Sequence, residues 1–499
     1  MENHIYQVLV IGGGINGVGI ALDAAGRGLD VMLCEMNDLG SATSSRSSKL
    51  IHGGLRYLEH YQFRLVREAL AEREVLLKKA PHIIWPLRFR LPHQPQLRPG
   101  WVIRAGLFLY DHLSHRTTLA ASHALTFTAD SPLQPHLRRG YEYSDGWVDD
   151  ARLVILNAMA ARDKSACIRP RTRCVQAQRI DHIWQVTLED SNSGQQYQIQ
   201  ARSLVNAAGP WVSQLLEHSL HQPVPQQIRL VKGSHIIVPR LHCQPHAYIL
   251  QHQDKRIVFV IPYEDDFSLI GTTDVEYQGD PASATISTAE MDYLITTSNQ
   301  YFQQQLSTDD IVHSYAGVRP LLDNAANSAQ TASRDYQLTL DAPAQQAPLL
   351  SVFGGKITTY RKLAQAAVDQ LVPGFPTAGP AWTEHAHLPG GDFDSQPQLL
   401  QQLSTCYPWL APQVLRRYVR SYGTLCTNFL QNCESVEGMG IHFGAGLYEQ
   451  EVRWLQQAEW AQTTEDILWR RSKLGLRLNP QQQQRLTQFL SRNQHPTDR

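Results

Sequence analysis

The chain has 499 residues and a formal net charge of −1, with 45 Lys and Arg against 46 Asp and Glu. Its length predicts about three domains. Its 42% hydrophobic and 18% charged residues are typical of a globular protein and exclude a disordered or fibrous one. The near-zero charge argues against a nucleic-acid-binding protein, so any anion site must depend on a few individual cations.

The cysteines and the hydropathy bear on the cellular compartment of the protein. The seven cysteines form no CxxC pair, which argues against a disulfide framework and a zinc site and favours a reducing cytoplasm. No signal peptide is predicted, and no stretch approaches the roughly 20 apolar residues that span a bilayer. We expect a cytoplasmic protein without a metal, which would meet a membrane from one face only.

The first elements predict a βαβ unit. Val8–Ile11 is a short apolar run typical of a buried strand. A helical pattern follows and stops at Gly26 and Gly28, and a second apolar strand, Val31–Cys34, ends at Glu35.

Gly12, Gly14 and Gly17 fit the GxGxxG pattern between this strand and this helix. In a dinucleotide-binding fold the first glycine permits the turn, the second lets the backbone approach a pyrophosphate, and the third lets helix and strand pack closely. Glu35 follows at about the 20-residue distance of an acidic residue that binds the ribose. The pattern predicts a bound dinucleotide without distinguishing FAD from NAD; the alternative is a glycine-rich turn with no ligand.

The following segments are less regular. Residues 41–48 form a serine-rich loop, 62–80 predict a long helix, and 81–140 predict an irregular basic region. Further on, the predicted elements are strands over 171–176, 193–205, 235–238, 256–261, 267–270 and 349–353, a helix from about 357 that ends near Pro373, and a helical region from 381 onward.

Six segments, in order and at matching spacing, carry a specific resemblance. They are 43–57 (TSSRSSKLIHGGLRY), 232–235 (KGSH), 271–274 (GTTD), 316–320 (AGVRP), 333–335 (SRD) and 353–362 (FGGKITTYRK). Together they resemble the bacterial aerobic FAD-dependent glycerol-3-phosphate dehydrogenases over about residues 5–390. Arg46 departs from the family pattern, where a small residue is more familiar.

This resemblance implies an α/β fold related to glycine and D-amino-acid oxidases, with non-covalent FAD. A discontinuous Rossmann-like FAD-binding domain would comprise 1–80, 145–212 and 345–380. An inserted antiparallel-sheet substrate domain would comprise 81–144 and 213–344, and a helical C-terminal domain 381–499.

The resemblance also implies the site residues. The cofactor-binding set is Gly12, Gly14, Gly17, Glu35, Ser44, Ser45, Ser47, Ser48, His52, Gly209, Trp211, Gly354, Gly355, Lys356 and Thr358. The substrate-binding set is Arg56, Tyr57, Arg319 and Arg334, because arginine forms bidentate, charge-assisted hydrogen bonds with phosphate. Without the resemblance, the serine-rich loop would be a linker. For Trp211 the alternative is a position in the core.

Two residues compete as the base for the C2 hydroxyl of the substrate. His235 has an unperturbed pKa of about 6.5, which suits proton transfer near neutrality. Lys356 is the competitor; it could instead polarise the alcohol or, with the helix N-terminus after Gly354 and Gly355, stabilise reduced flavin. His235, Lys356 and Arg319 are therefore the catalytic candidates, and His52 would orient the flavin ring.

The implied reaction is oxidation of sn-glycerol 3-phosphate to dihydroxyacetone phosphate, with hydride transfer to FAD and electrons passed to a membrane quinone. An oxidase that uses oxygen is one alternative. A flavin-binding scaffold without turnover is another, which the joint presence of Arg319, Arg334 and Lys356 disfavours. The family implies a peripheral location on the inner face of the cytoplasmic membrane, and a homodimer is left open.

Residues 81–120 are the candidate membrane segment. They contain five arginines against one aspartate, interleaved with aromatic side chains. That mixture suits the headgroup region of an anionic bilayer. A basic loop packed on its own protein is the alternative.

Overall fold

The structure, a computed structural model, describes residues 4–94, 96–254, 256–323 and 335–492, apart from the side chains of residues 56 and 60. Arg334, predicted to bind substrate, lies outside the described residues, and for Arg56 only the backbone is described.

A mainly parallel sheet, called here the parallel sheet, carries the predicted βαβ unit. Its strands, in spatial order, are Tyr336–Asp341, Leu349–Gly354, Leu204–Asn206, Val8–Ile11, Val31–Cys34 and Cys167–Arg169, of which the first is antiparallel to its neighbour. One face packs on the helices Ile15–Gly26, Asp150–Asp163 and Tyr360–Leu371. Because strand side chains alternate, Val8 and Val10 face these helices while Leu9 and Ile11 face the opposite side.

The opposite side of the parallel sheet packs on a smaller one. Its strands, in spatial order, are Ile5–Tyr6, Gln196–Ala201, Ile183–Asp190 and Thr172–Ile180. The short helix Val212–Gln214 follows the strand Leu204–Asn206. The fully buried Trp184 belongs to this second core.

The remaining strands form a large, mostly antiparallel sheet, called here the large sheet. In spatial order they are Val275–Glu276, Ile228–Pro239, Phe267–Gly271, Ile257–Tyr263, Ala247–Gln251, Ile84–Pro92, Arg139–Val148 and Leu50–Ile51, with His313–Leu322 beside Ile228–Pro239 and His123–Thr126 beside Arg139–Val148. Ala247–Gln251 and Ile84–Pro92 pair in parallel. Helices Phe63–Lys79 and Gly100–His112 cover one face and helix Thr288–Tyr301 covers the other.

The C-terminal region is helical and has its own core. Its elements are Gln396–Cys406, Pro412–Tyr422, Thr427–Leu430, Glu449–Glu459, the π-helical Asp466–Arg471, Pro480–Arg492 and the short strands His442–Gly444 and Leu447–Tyr448. None of the helices in the described part of the chain combines the length and the hydropathy that a bilayer crossing requires. The predicted fold class, an α/β flavin fold with an inserted sheet and a helical C-terminal region, is confirmed.

The structure differs from the sequence-based predictions at three points. The region 81–140 is not irregular, because it contains the strand Ile84–Pro92 and the helix Gly100–His112. A boundary at 144/145 falls inside Arg139–Val148, one continuous strand of the large sheet. A boundary at 344/345 is too late, since Tyr336–Asp341 already pairs in the parallel sheet. The rest of the three-part domain division stays a prediction.

Candidate active site

A cavity of about 720 Å³ lies between the parallel sheet and the large sheet. Its lining extends from Gly12 and Glu35 on the parallel sheet to His235 and Arg319 on the large sheet. It therefore brings the predicted dinucleotide loop and the predicted substrate residues into one space, of a size typical for ligand sites.

The glycine loop has the close contacts that the motif predicts. Gly12 has a φ of +115°, and a Cβ there would lie 2.5 Å from the carbonyl oxygen of Ala207. A Cβ on Gly17 would lie 1.9 Å from the carbonyl oxygen of Gly12. Gly17 does not line the cavity, which fits a packing role, whereas Gly14 lines it and is the N-cap of the helix Ile15–Gly26.

Glu35 ends its strand beside this loop. One carboxylate oxygen accepts the N–H of Gly13 at 2.7 Å and the other accepts the N–H of Asn37 at 2.9 Å. Burial raises the pKa of Glu35, and these two hydrogen bonds oppose that effect. The side chain lines the cavity at the end of the second strand, where a dinucleotide ribose binds.

The residues fit FAD. Asn16, in the first turn of the helix after the glycine loop, donates to the carbonyl oxygen of Gly354 at 3.2 Å. Its own amide oxygen is buried and has no hydrogen-bond partner within the described chain. Gly355 has a φ of +100°, and a Cβ there would lie 2.9 Å from the Asn16 amide. The two glycine-containing turns thus meet at an unsatisfied acceptor in the cavity wall, as a site for an extended polar cofactor requires.

The predicted serines have different environments. Ser44 accepts the N–H of Ile15 at 2.9 Å, beside the glycine loop. The Ser47 hydroxyl donates to Asp150 at 2.8 Å, and that of Ser48 lies 2.9 Å from Nε2 of His235. Ser45 does not line the cavity. Ser44 is thus the serine of this loop that contacts the predicted pyrophosphate site.

His235 is buried and lines the cavity. Its ring stacks on Tyr315, with 4.8 Å between the ring centroids. Burial lowers the pKa of His235 to about 3, and the charges of Lys49 and Arg319 act in the same direction. The imidazole is therefore neutral at physiological pH and able to accept a proton.

A buried ion pair that the sequence motifs did not predict supports this histidine. Lys49 contacts Asp150 at 2.7 Å, and Asp150 also accepts the N–H of Ser47 at 3.1 Å. The Tyr315 hydroxyl donates to the carbonyl oxygen of Ser47 at 2.8 Å. Lys49 lies inside segment 43–57, so the motif contained the signal, but the pattern did not indicate its partner.

Arg319 is positioned from two sides. Its Nη2 lies 2.8 Å from Oδ1 of Asp274 and 2.9 Å from the carbonyl oxygen of Thr273. A Cβ on Gly233 would come within 2.3 Å of the same nitrogen, so the glycine of segment 232–235 leaves room for the guanidinium. Asp274 lines the cavity and belongs to segment 271–274, but it was not predicted as a site residue.

Glu290, which was also not predicted as a site residue, connects segments 232–235 and 271–274. It accepts hydrogen bonds from the hydroxyls of Ser234 and Thr273, both at 2.8 Å, and contacts Lys232 at 2.8 Å. Burial alone would raise the pKa of Glu290, but these donors and Ser287 lower it to about 2. The carboxylate stays ionised and fixes the neighbours of His235 and Arg319.

The turn 354–358 forms another part of the cavity wall. Nζ of Lys356 lies 3.9 Å from the centre of the Tyr57 ring. The Thr358 hydroxyl accepts the N–H of His52 at 3.2 Å. All four of these residues line the cavity, as do Gly354 and Gly355.

Gly209 and Trp211 also line the cavity. Gly209 has a φ of +56°. Trp211 is half-buried and donates from its indole to Asp280 at 3.2 Å, so it is a wall residue and not a core residue.

Two family models match the chain. The model described as FAD dependent oxidoreductase covers residues 7–361. The model described as the C-terminal domain of alpha-glycerophosphate oxidase covers residues 381–490.

Several similar proteins match this chain over nearly its whole length and theirs. A glycerol-3-phosphate dehydrogenase from Pseudomonas aeruginosa is 59% identical over 99% of this chain and 96% of its own. The aerobic glycerol-3-phosphate dehydrogenase of Escherichia coli is 55% identical over 97% of each. A D-erythritol 1-phosphate dehydrogenase from Brucella abortus is 48% identical over 96% of each.

A solved structure agrees with these relatives. The glycerol-3-phosphate dehydrogenase from Bacillus halodurans, complexed with FAD, superimposes with a TM-score of 0.76 at 26% identity, covering 99% of this chain and 95% of that one. The cofactor of the present chain is FAD, in agreement with the cavity described above. The chain is an FAD-dependent oxidoreductase and belongs to the family of bacterial glycerol-3-phosphate dehydrogenases.

Proposed function

We propose that this enzyme oxidises sn-glycerol 3-phosphate to dihydroxyacetone phosphate in the cavity between Arg319, His235 and Lys356. The observation that carries the proposal is that one cavity contains an arginine, a neutral histidine and the FAD loop. FAD, when bound, supplies the hydride acceptor. The relatives named above support the choice of a phosphorylated polyol as the substrate.

Arg319 binds the phosphate. Its guanidinium is held by Asp274 and by the carbonyl of Thr273 at the cavity wall, so little side-chain freedom is lost when the substrate binds. A phosphate dianion forms short, charge-assisted hydrogen bonds with such a group. The arginine thereby fixes the distance between the phosphate and the carbon that is oxidised.

His235 takes the proton of the C2 hydroxyl. We assign its ring N–H to Nε2, donating to the Ser48 hydroxyl, because the alternative leaves a buried N–H at Nδ1 without an acceptor in the described chain. Nδ1, itself buried, then carries the lone pair of the ring. The negative charge of a bound phosphate offsets the charges of Lys49 and Arg319 and makes this nitrogen more basic.

Lys356 contributes a positive charge. It follows Gly354 and Gly355 at the start of a helical turn and lies over the Tyr57 ring. A cation and a helix N-terminus at the same place favour negative charge that develops during the reaction.

We further propose that the electrons pass to a membrane quinone and that helix Gly100–His112 lies against the inner face of the cytoplasmic membrane. Trp101 and Phe108 on this helix are 75% and 60% exposed, and Arg104 is exposed on the same face. Tyr61, which directly follows a turn in contact with this helix, is 81% exposed. An exposed aromatic face with a cation suits the interfacial region of an anionic bilayer.

An anaerobic titration of the purified enzyme tests the substrate. Glycerol 3-phosphate should bleach the visible flavin absorbance, and D-erythritol 1-phosphate, the substrate named for the Brucella relative, should do so only at higher concentration. A short-chain quinone analogue added afterwards should restore the absorbance faster than oxygen does. A flavin that stays oxidised with glycerol 3-phosphate would overturn the substrate, and faster reoxidation by oxygen would make the enzyme an oxidase.

A further inference from the structure

The loop after the strand Val31–Cys34, residues 35–41, forms the ribose end of the cofactor cavity. Glu35 and Ser41 line that cavity. The loop is tied to its surroundings by backbone hydrogen bonds: the N–H of Gly40 donates to Gly13 at 3.0 Å, and the N–H of Arg171 donates to the carbonyl of Asn37 at 2.8 Å. Its conformation therefore determines where the Glu35 carboxylate lies.

A buried carboxylate in the middle of this loop is neutralised from the C-terminal domain. Asp38 is 2% exposed and faces two consecutive arginines. Arg471, fully buried, holds both of its oxygens, one at 2.9 Å, and Nε of Arg470 lies 2.5 Å from Oδ2. An unpaired carboxylate at this depth would be strongly destabilising, so the loop depends on these two cations.

A second contact holds the other side of the loop. Asp466, in the same π-helical turn as the two arginines, accepts a hydrogen bond from Nη2 of Arg171 at 2.6 Å. Its other oxygen lies 2.5 Å from Nη2 of Arg470. The turn Asp466–Arg471 therefore contacts both the loop and the strand start that is hydrogen-bonded to it.

The same cations act on Glu35 electrostatically. Burial raises the pKa of Glu35, and the charge of Asp38 raises it further. Arg470 and Arg471 offset the charge of Asp38, and so favour the ionised Glu35 that can accept a hydrogen bond from a ribose hydroxyl.

We propose that the helical C-terminal domain completes the FAD site, with Arg470 and Arg471 as positioning residues that hold Asp38 and thereby the ribose-binding loop. The inference rests on FAD as the cofactor and is independent of the substrate. It assigns a role in cofactor retention to a domain none of whose described residues lines the cavity.

The rate at which the full-length holoenzyme releases FAD tests the proposal. After dilution into flavin-free buffer, release is followed by the rise in flavin fluorescence. Arg471→Met and Asp38→Asn should each release FAD about ten- to a hundredfold faster, an effect comparable with the loss of outer partners at metal sites. With saturating FAD in the assay, kcat should return towards that of the unmodified enzyme.

Arg417→Met is the matched control. Arg417, which is partly buried, forms an ion pair with the fully buried Glu451 inside the C-terminal domain, at 2.5 Å, and neither residue contacts the loop. This variant loses thermal stability in the same way but should release FAD at the unmodified rate. If Arg471→Met does not fold, Asp38→Asn decides the question, since it leaves no unpaired carboxylate. Unchanged release from Asp38→Asn, or equally fast release from Arg417→Met, would overturn the proposal.

Discussion

The hydroxyl of Ser48 lies 2.9 Å from Nε2 of His235, although 187 residues separate them in the chain. This contact joins the serine-rich loop, which also binds the glycine loop through Ser44, to the strand Ile228–Pro239 of the large sheet. The cofactor loop and the proposed base are therefore positioned by one continuous set of contacts.

Substitutions at these two positions should separate proton transfer from cofactor binding. His235→Gln should slow flavin reduction about 10²- to 10⁴-fold, the usual contribution of a general base. Ser48→Ala should slow it roughly two- to tenfold, the size of one hydrogen bond. Stopped-flow reduction by glycerol 3-phosphate measures both rates. The ratio of FAD to protein should stay unchanged, and loss of FAD from His235→Gln would instead indicate a structural role.

The pH dependence of kcat/KM should reflect the ionisation of the substrate phosphate and not that of His235. Because burial lowers the pKa of His235 to about 3, the free enzyme keeps this base neutral throughout pH 5 to 9. A phosphate monoester loses its second proton near pH 6, so the acid limb should lie at about that pH. The residual activity of His235→Gln should show the same limb. A limb that disappears in the variant would mean that His235 itself titrates there.

Arg319→Ala should raise the KM for glycerol 3-phosphate by about 10- to 150-fold, because charge-assisted hydrogen bonds to the phosphate are lost. Steady-state kinetics with a quinone analogue as electron acceptor measure the KM of the variant and of the unmodified enzyme. Arg229→Ala is the control: it removes an arginine from the strand beside Arg319, one that pairs with Glu276 and Asp323 and does not line the cavity. An unchanged KM in Arg319→Ala would exclude Arg319 as the phosphate anchor.

Acid should destabilise the protein through its buried histidines. Burial, reinforced by Arg152, lowers the pKa of His82 to about 3, so the unfolded state binds a proton below pH 6.5 that the folded state does not. The stability that the neutral His82 contributes is fully present above pH 6.5 and is lost as the pH falls. At pH 5, protonation of His82 in the unfolded state should lower the free energy of unfolding by about 2 kcal/mol. The free energy of unfolding of His82→Phe, measured with urea, should therefore change less between pH 6.5 and pH 5 than that of the unmodified protein. An identical dependence in the variant would place the acid sensitivity elsewhere.

Trp101→Ser and Phe108→Ser should weaken binding to vesicles of anionic phospholipid, each about tenfold or more, because each removes a large apolar side chain from the interface. Co-sedimentation with the vesicles measures the affinity. Ile180→Ser is the control, since Ile180 is 43% exposed on the smaller sheet. Equal losses in all three variants would argue against helix Gly100–His112 as the contact surface.

Local patterns were sufficient to predict the βαβ unit. The bounds of Val8–Ile11 and Val31–Cys34 follow from runs of apolar residues that end at glycine or at an acid, and both strands are fully buried. The strand Ile84–Pro92 was missed because Pro86 lies in its interior, although the alternation of arginine and apolar residues after it is typical of a half-buried strand.

Contacts between distant segments could not be predicted from one sequence. Motifs placed His235 and Arg319 near the substrate, but the partners of these residues, Ser48 and Asp274, follow from the register and curvature of the large sheet. Glu290 belongs to no motif, and its hydrogen bonds to Ser234 and Thr273 depend on how helix Thr288–Tyr301 packs.

The buried pair of Asp38 and Arg471 spans 433 residues of the chain. At about 5 to 20 residues per second, a ribosome makes Asp38 roughly 20 to 90 s before Arg471. During that interval the carboxylate stays in water, because without its arginines burial is unfavourable. The first strands of the parallel sheet can form early, whereas the loop beside them must wait for a segment made much later. Maturation of this flavoprotein is thus coupled to synthesis of its helical domain, and a stalled or truncated chain would be exposed to proteases at residues 35–41.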